Sequence, residues 1–396
     1  MQTSYRNIFL LACCQALLLV NTSGLTLMNG LVGYSLVDAK SLATLGATTF
    51  VLGSALAAMP ASAWMARVGR RAGFMTGAMV NIAGCVVAAI ALALRSFPLF
   101  CAATAVIGVY TAFAMQYRFA AAEVAAPSDR AKAISLVLAG GVVGGFCGPE
   151  LTKLGKDFFA MPFLGSFVAM ALTAVVAIAV QSRLRVPAPS VAEAQDGGRS
   201  LRVIMRQPVF VVAVLCAALG YGLMNLLMVA TPLAMSFCGL TYGQTAVVFE
   251  WHILGMYAPG FFTGSLIKRF GTLRVIGTGV TLMAAAALAA LQGNKLPHFV
   301  AALVLLGIGW NFMYTGGTTL LTEAYTPAEK SRTQGVNDFI VFATMGVSSF
   351  SSGFLVTATG WETMNLAALP VLAIVAVAVT WLAFHRRHAV SPVAAD

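Results

Sequence analysis

The chain has 396 residues, of which 59% are hydrophobic and only 9% charged, with a formal net charge of +11 and a mean hydropathy of +0.87. A soluble domain carries about a quarter charged residues, so this chain has too few polar groups to face water, and lipid must solvate most of it. The Lys and Arg excess sits in short loops between apolar runs, a pattern of membrane orientation that excludes a nucleic-acid-binding face.

Apolar runs of about 20 residues, enough to cross a bilayer as helix, follow one another along the chain. The first begins after Arg6 and continues to about Tyr34 without a clear cleavage site, so it reads as a retained helix and not a signal peptide. The first six spans are 7–32, 41–64, 72–93, 98–121, 132–152 and 160–181. A polar linker, Gln181–Gln207, carries Pro187, Pro189, Gly197 and Gly198. Six more spans follow at 208–233, 243–266, 272–292, 297–321, 333–356 and 364–385. The cysteines lie within apolar segments at no metal-binding or disulfide spacing, and read as small packing residues.

Loop charge sets orientation. One set of loops holds Arg6, Arg67, Arg70, Arg71, Arg130, Arg183, Arg202, Arg269, Arg274, Arg332 and Arg386, whereas the opposite set holds only Lys40, Arg95, Lys153, Lys156 and Lys295. The positive-inside rule places both termini and the linker in the cytoplasm, which requires an even number of spans.

The chain also repeats itself. Arg67 and Gly69, in Ser62-Ala-Trp-Met-Ala-Arg-Val-Gly-Arg-Arg71, return 202 residues later as Arg269 and Gly271 in Gly264-Ser-Leu-Ile-Lys-Arg-Phe-Gly-Thr-Leu-Arg274. Gly53 and Gly255, and Arg130 and Arg332, lie at the same separation. Glu123-Val-Ala-Ala-Pro127 matches Glu323-Ala-Tyr-Thr-Pro327, and Met28-Asn29 matches Met224-Asn225. Two related halves with function between them is the expected plan.

At these residues the chain resembles the major facilitator superfamily of secondary transporters, over nearly its whole length. The family's basic loop after spans two and eight is matched by Arg67, Gly69, Arg70 and Arg71, and again by Gly264, Arg269 and Gly271. Ser62 replaces the loop's glycine in the first copy, and Ala66 and Lys268 replace its acid in the two copies, which removes the usual charge partner. Gly144, Gly148 and Pro149 match an antiporter pattern in span five, while Thr104 stands where many proton antiporters carry an arginine. The resemblance implies an all-α membrane protein with 12 transmembrane helices in two pseudo-symmetric six-helix bundles, 1–181 and 208–396, joined by a cytoplasmic linker at 182–207. It further implies a bacterial inner-membrane transporter, monomeric, that moves a small solute by alternating access driven by protons or another ion.

In that family spans one, four, seven and ten line the cavity. This singles out Gln15, Asn21 and Asn29, then Tyr110, Gln116 and Arg118, then Asn225, and finally Trp310, Asn311 and Tyr314 as candidate solute contacts. Aromatics with amides and one arginine suit a flat, polar, partly aromatic molecule, although such stripes also arise from packing alone. Arg118 lies five residues before Glu123, about 7.5 Å deeper along a helix. Two readings are open for it: a guanidinium that binds an anionic or hydrogen-bonding solute, or one that snorkels to the interface and pairs with a loop acid.

Glu250-Trp-His252 is the most unusual polar cluster inside a span, and intramembrane titratable groups are functional candidates. The pair is assigned to proton coupling, with at most one member facing a cavity because i and i+2 point about 200° apart. Gating is assigned to Arg67, Gly69, Arg70, Arg71, Glu123, Arg130, Arg269, Gly271, Arg274, Glu323, Arg332 and Asp338. Glu123 and Glu323 are the expected substitute partners of the two basic loops, and Asp338, at a helix start, is expected to pair with nearby cations.

No nucleotide-binding loop, zinc spacing or nucleophile elbow is present, so neither an ATP-driven pump, nor an enzyme, nor a bound metal or cofactor is expected. The segments Met224–Pro232, Glu250–Gly255 and Gly309–Tyr314 resemble a proteobacterial branch of the superfamily that neighbours riboflavin importers. That resemblance implies import of a riboflavin-like solute. The competing readings are efflux of a drug or metabolite, and a non-transporting receptor or scaffold on the same fold.

Overall fold

A computed structural model describes residues 2–37, 45–186 and 198–390. Lys40 and the central part of the expected linker, 187–197, lie outside them. The helices, in chain order, are α1 (Gln2–Leu36), α2 (Leu45–Val68), α3 (Arg70–Ala93), α4 (Phe97–Ala114), α5 (Tyr117–Val124), α6 (Arg130–Ala139), α7 (Gly141–Lys156) and α8 (Leu164–Gln181). They continue as α9 (Leu201–Met205), α10 (Pro208–Phe237), α11 (Tyr242–Tyr257), α12 (Gly260–Phe270), α13 (Thr272–Ala290), α14 (Leu296–Leu321) and α15 (Lys330–Val390). Helix is the expected response to lipid, because it satisfies every backbone donor and acceptor within the segment.

Among the described residues, 10 helical segments are long and apolar enough to cross a membrane. Two further crossings escape that criterion for local reasons. Span eight is divided into α11 and α12 at Ala258-Pro259, where proline lacks the donor the helix needs. Spans eleven and twelve run together as α15, which is broken only at Gly360, at φ 81°. Span four also divides, into α4 and α5 at Met115-Gln116, and span five into α6 and α7 at Gly140.

The chain forms two compact units. The first comprises Met1–Pro127, Leu136–Gly198 and Pro327–Gly346; the second comprises Ser128–Ser135, Arg199–Thr326 and Val347–Asp396. Each therefore draws a short helical segment from the other half of the sequence.

The sequence repeat reappears as a repeated way of packing helices. In the first unit Gly53 of α2 faces the backbone of Ala105, and Gly108 of α4 faces that of Phe50. In the second, Gly255 of α11 faces Val304, and Gly307 of α14 faces the backbone of His252. Glycine at all four positions lets the backbones approach more closely than any Cβ would allow. The two basic turns repeat as well. Gly69 has φ 83° and ψ 162° and Gly271 has φ 90° and ψ 151°, a region essentially reserved for glycine. Each glycine reverses the chain directly into the next helix.

The residues that precede these turns have equivalent neighbours. Gly264 packs directly on Ala131 and Lys132, where a Cβ would collide with their backbone. Its N–H donates to the Ser135 hydroxyl at 3.0 Å, and that hydroxyl donates to the Gly260 carbonyl. In the first unit Ser62 takes the equivalent place and donates to the Ser331 carbonyl at 2.6 Å. The serine that departs from the family pattern thus supplies a hydrogen bond where its counterpart supplies space.

Candidate functional site

The polar centre of the first unit is Arg70, at the start of α3 and 6% exposed. Its Nη2 donates to Glu123 Oε1 at 2.6 Å and to Gln334 Oε1 at 2.5 Å, its Nε to Glu123 Oε2 at 3.3 Å, and its Nη1 to Gln116 Oε1 at 2.5 Å. Lys330 adds a second cation 3.6 Å from Glu123. A guanidinium is tolerated out of water when its fixed fork is met by a carboxylate and amides in this way. Glu123 thus meets the first basic turn through Arg70, while Arg67 and Arg71 remain exposed.

Deeper in the same unit Arg118 of α5 donates through Nη2 to Asp338 Oδ1 of α15, with the two side chains 1% and 2% exposed. Asn337 Nδ2 donates to the same Oδ1 at 3.0 Å, and the Arg118 guanidinium stands 4.6 Å from the Phe119 ring centroid. Asp338 Oδ2 has no hydrogen-bond partner among the described residues. Arg118 therefore does not snorkel, and its acid comes from a distant helix and not from a loop.

The centre of the second unit is aromatic. Trp310 and Tyr314, one turn apart on α14, stack with centroids 5.0 Å apart and planes at 14°. Tyr221 of α10 meets both edge-on at 5.2 Å, and Tyr257, the last residue of α11, meets Trp310 edge-on at 5.8 Å. Trp310 is 1% exposed, yet its indole N–H has no acceptor among the described residues. Buried indole donors ordinarily find one. Asn225, one turn beyond Tyr221 on α10, donates to Ser348 at 2.9 Å.

Several expected solute contacts turn out to be packing contacts. Asn21 donates to Thr173 at 2.8 Å and to the Leu17 carbonyl at 3.0 Å, and accepts from Asn81 at 2.9 Å. Asn311 accepts from Thr263 and donates to the Met256 carbonyl, both at 2.7 Å. Both amides bond to neighbouring helices through oxygen and nitrogen, where burial away from water favours a partner for each polar atom. Gln116 serves Arg70, and Tyr110 lies beside Tyr117, whose hydroxyl accepts from Gln181 at 2.8 Å. Asn29 is buried against Gly46 with its Oδ1 unpartnered, and Gln15 is buried on α1.

Glu250 and His252 do diverge, as their spacing requires. His252 is fully buried with Nδ1 at 2.7 Å from the Leu303 carbonyl. A carbonyl only accepts, so Nδ1 carries the proton and Nε2 is left without a partner. Glu250 is exposed, on a face it shares with Tyr257 two turns later. In the second basic turn Glu323 pairs with Arg386 at 2.7 Å, not with Lys268 or Arg274. Lys268 instead meets Asp129 at 2.8 Å. The second turn thus keeps an ion pair where Lys268 stands: the loop supplies the cation and Asp129, in the turn before α6, the acid. Arg269 covers the Phe270 ring at 5.2 Å, Arg274 reaches the Phe270 carbonyl at 3.5 Å, and Arg130 and Arg332 are half-buried.

The Major Facilitator Superfamily model matches residues 11–258 and, in an overlapping second match, 214–395. The chain belongs to the Major Facilitator Superfamily. The riboflavin transporter RfnT of Brucella anthropi is 40% identical over 378 residues, covering 94% of each chain. Among solved structures, the proton:xylose symporter XylE aligns with a TM-score of 0.77 at 15% identity over 95% of both chains. The E. coli fucose:proton symporter FucP aligns at 0.73 and 16% identity, over 94% of this chain and 98% of its own. The fold is therefore the superfamily's twelve-helix plan in two related six-helix halves, and the protein is a multi-pass membrane transporter of a small solute, not an enzyme.

Proposed function

We propose that this transporter imports a riboflavin-like solute across the bacterial inner membrane by proton-coupled alternating access, with both termini cytoplasmic. The observation that carries the reading is the 40% identity with RfnT over 94% of both chains. The aromatic cluster of Tyr221, Tyr257, Trp310 and Tyr314 supports it chemically. A fused heteroaromatic ring offers both a face for stacking and acceptors for the unpartnered Trp310 N–H. Asn225 and exposed Glu250 on neighbouring helices are candidate partners for the polar side chain of such a solute.

The glycines that would favour efflux have another role within the first unit. Gly144 and Gly148 lie against Ala16, Leu19, Val20 and Ser23 of α1, where a Cβ would meet backbone or side chain. Packing explains them. Gating is assigned to Arg70 with Glu123, Gln334 and Lys330 at the first basic turn, and to Lys268 with Asp129 at the second. The direct test is uptake of radiolabelled riboflavin by a riboflavin-auxotrophic host that expresses the full chain. Growth on low external riboflavin and accumulation above the vector control are expected. Flavin export, or no flavin movement in either direction, overturns the reading.

A further inference from the structure

Span eight is broken at Ala258-Pro259, and a side chain from another helix bridges the break. Pro259 has no N–H to offer the Gly255 carbonyl one turn back, so the span loses one of the bonds that would tie α11 to α12. Asn311 of α14 supplies a tie from outside. Its Nδ2 donates to the Met256 carbonyl of α11, and its Oδ1 accepts from Thr263 of α12, both at 2.7 Å. Asn311 and Thr263 are fully buried. One amide thus holds both sides of the break.

The bridge stands between the aromatic cluster and the second basic turn. Asn311 follows Trp310 in the chain, and Met256 precedes Tyr257, whose ring meets Trp310 edge-on at 5.8 Å. A solute that displaces either ring therefore moves a residue bonded to its neighbour in the bridge. At the other side, α12 carries Gly260, Gly264 and Lys268 along one face, each four residues from the last. The Gly260 carbonyl accepts from Ser135, the Gly264 N–H donates to Ser135 at 3.0 Å, and Lys268 meets Asp129 at 2.8 Å. α12 is a strut, fastened to α14 through Thr263 and to the segment 129–135 through this glycine–lysine face.

The fastening at Thr263 can be released at low cost. A hydroxyl carries one proton, and that of Thr263 has two acceptors in reach: Asn311 Oδ1 at 2.7 Å and the Pro259 carbonyl at 2.8 Å. When the break bends, Thr263 keeps a partner within its own helix, and only Asn311 Oδ1 loses one. A contact with two such arrangements is what a small displacement needs in order to become a change of state.

We infer that Asn311, through Thr263, is the positioning residue that transmits occupancy of the aromatic cluster to α12 and so to the Lys268–Asp129 contact. It touches no solute; it sets the angle of α12 against α11. The inference rests on the reading of the aromatic cluster as the solute site, so one arm of its test contains no flavin.

The first arm measures riboflavin uptake by the full chain in proteoliposomes. Thr263→Val replaces the hydroxyl with a methyl group and leaves the solute cluster in place. Its maximal rate is expected to fall about fivefold, the size of coupling change that a single contact carries. The apparent KM should stay within about twofold of wild type, because no solute contact is lost, and Thr263→Ser should restore the rate. The second arm follows hydrogen exchange of the backbone amides of 260–270 in the full chain without flavin. Trp310→Phe is expected to raise exchange there in the wild-type background and to leave it unchanged in the Thr263→Val background. Should Thr263→Val not fold, Thr263→Ala replaces it in both arms. A wild-type maximal rate in Thr263→Val overturns the inference, as does a raised KM at an unchanged rate, or failure of Thr263→Ser to restore it. So does a response of α12 to Trp310→Phe that is missing from the wild-type background or equal in both. A wild type that moves no flavin overturns the uptake reading instead, and hydrogen exchange then decides the bridge on its own.

Discussion

Arg118 with Asp338 in one unit and Trp310 with Tyr314 in the other are equally hidden from solvent, but they are hidden for opposite reasons. The ion pair fills a place where opposite charges meet out of water, so removing either group leaves the other charge buried. The aromatic cluster satisfies its apolar surface fully while leaving one indole donor without an acceptor, so it can take a ligand without giving up an existing hydrogen bond. The two regions therefore differ in kind, charge pairing in the first and ring stacking in the second, although both arise from related halves of one sequence. Part of the divergence is visible at a single repeat position: Arg70, the hub of the first network, is Thr272 in the second copy.

The largest expected effect is on the charged side. Arg118→Ala leaves Asp338 buried without its cation and should lower stability by about 3–5 kcal/mol, read as melting temperature in detergent, whereas Arg118→Leu with Asp338→Leu should recover most of the loss. A single variant that melts like wild type would show that the pair does not hold this region together. Next come the repeated close contacts. Gly53→Ala and Gly255→Ala should each cost about 1–3 kcal/mol by forcing helices apart. Gly53 should be the more sensitive, because its methyl would overlap the Ala105 carbonyl, whereas at Gly255 the nearest atom is 2.8 Å away.

On the aromatic side, Trp310→Phe keeps an aromatic face but removes the indole N–H together with the five-membered ring that carries it. Riboflavin affinity, followed by flavin fluorescence quenching, should fall by about tenfold, the loss of one hydrogen bond, and the melting temperature should also fall, because the smaller ring leaves a void in a buried cluster. An unchanged affinity would exclude the indole donor from recognition. The smallest effect is expected at the exposed Lys268–Asp129 pair. Asp129→Asn should leave the melting temperature where it is, since exposed ion pairs contribute little, but should alter the rate of transport if the turn takes part in gating.

The gate contacts show how far local reasoning reaches. Glu123 could be matched with the first basic turn because both lie at the same helix ends, and Arg70 does meet it there. The same argument gave Glu323 to the second turn, but Arg386, 63 residues on, takes it and Asp129 answers Lys268. Asn21 and Asn311 were drawn to the solute site because they are polar residues in cavity-lining spans. Their amides instead join neighbouring helices. Tyr221 and Tyr257 carry no motif of their own, although Tyr221 is one turn from Asn225 and Tyr257 is two turns from Glu250 on the same face of its helix.

The sequence by itself determined the number of spans and the two-fold repeat, including the return of the basic turn of Gly69 at Gly271. These depend on quantities local to each segment: apolar length and spacing. Only the tertiary structure decided that Arg118 meets Asp338, 220 residues away, and that Trp310 and Tyr314 meet Tyr221 and Tyr257. Helical periodicity states which face of a helix a residue occupies, but the neighbour across that face is set by how the other helices pack.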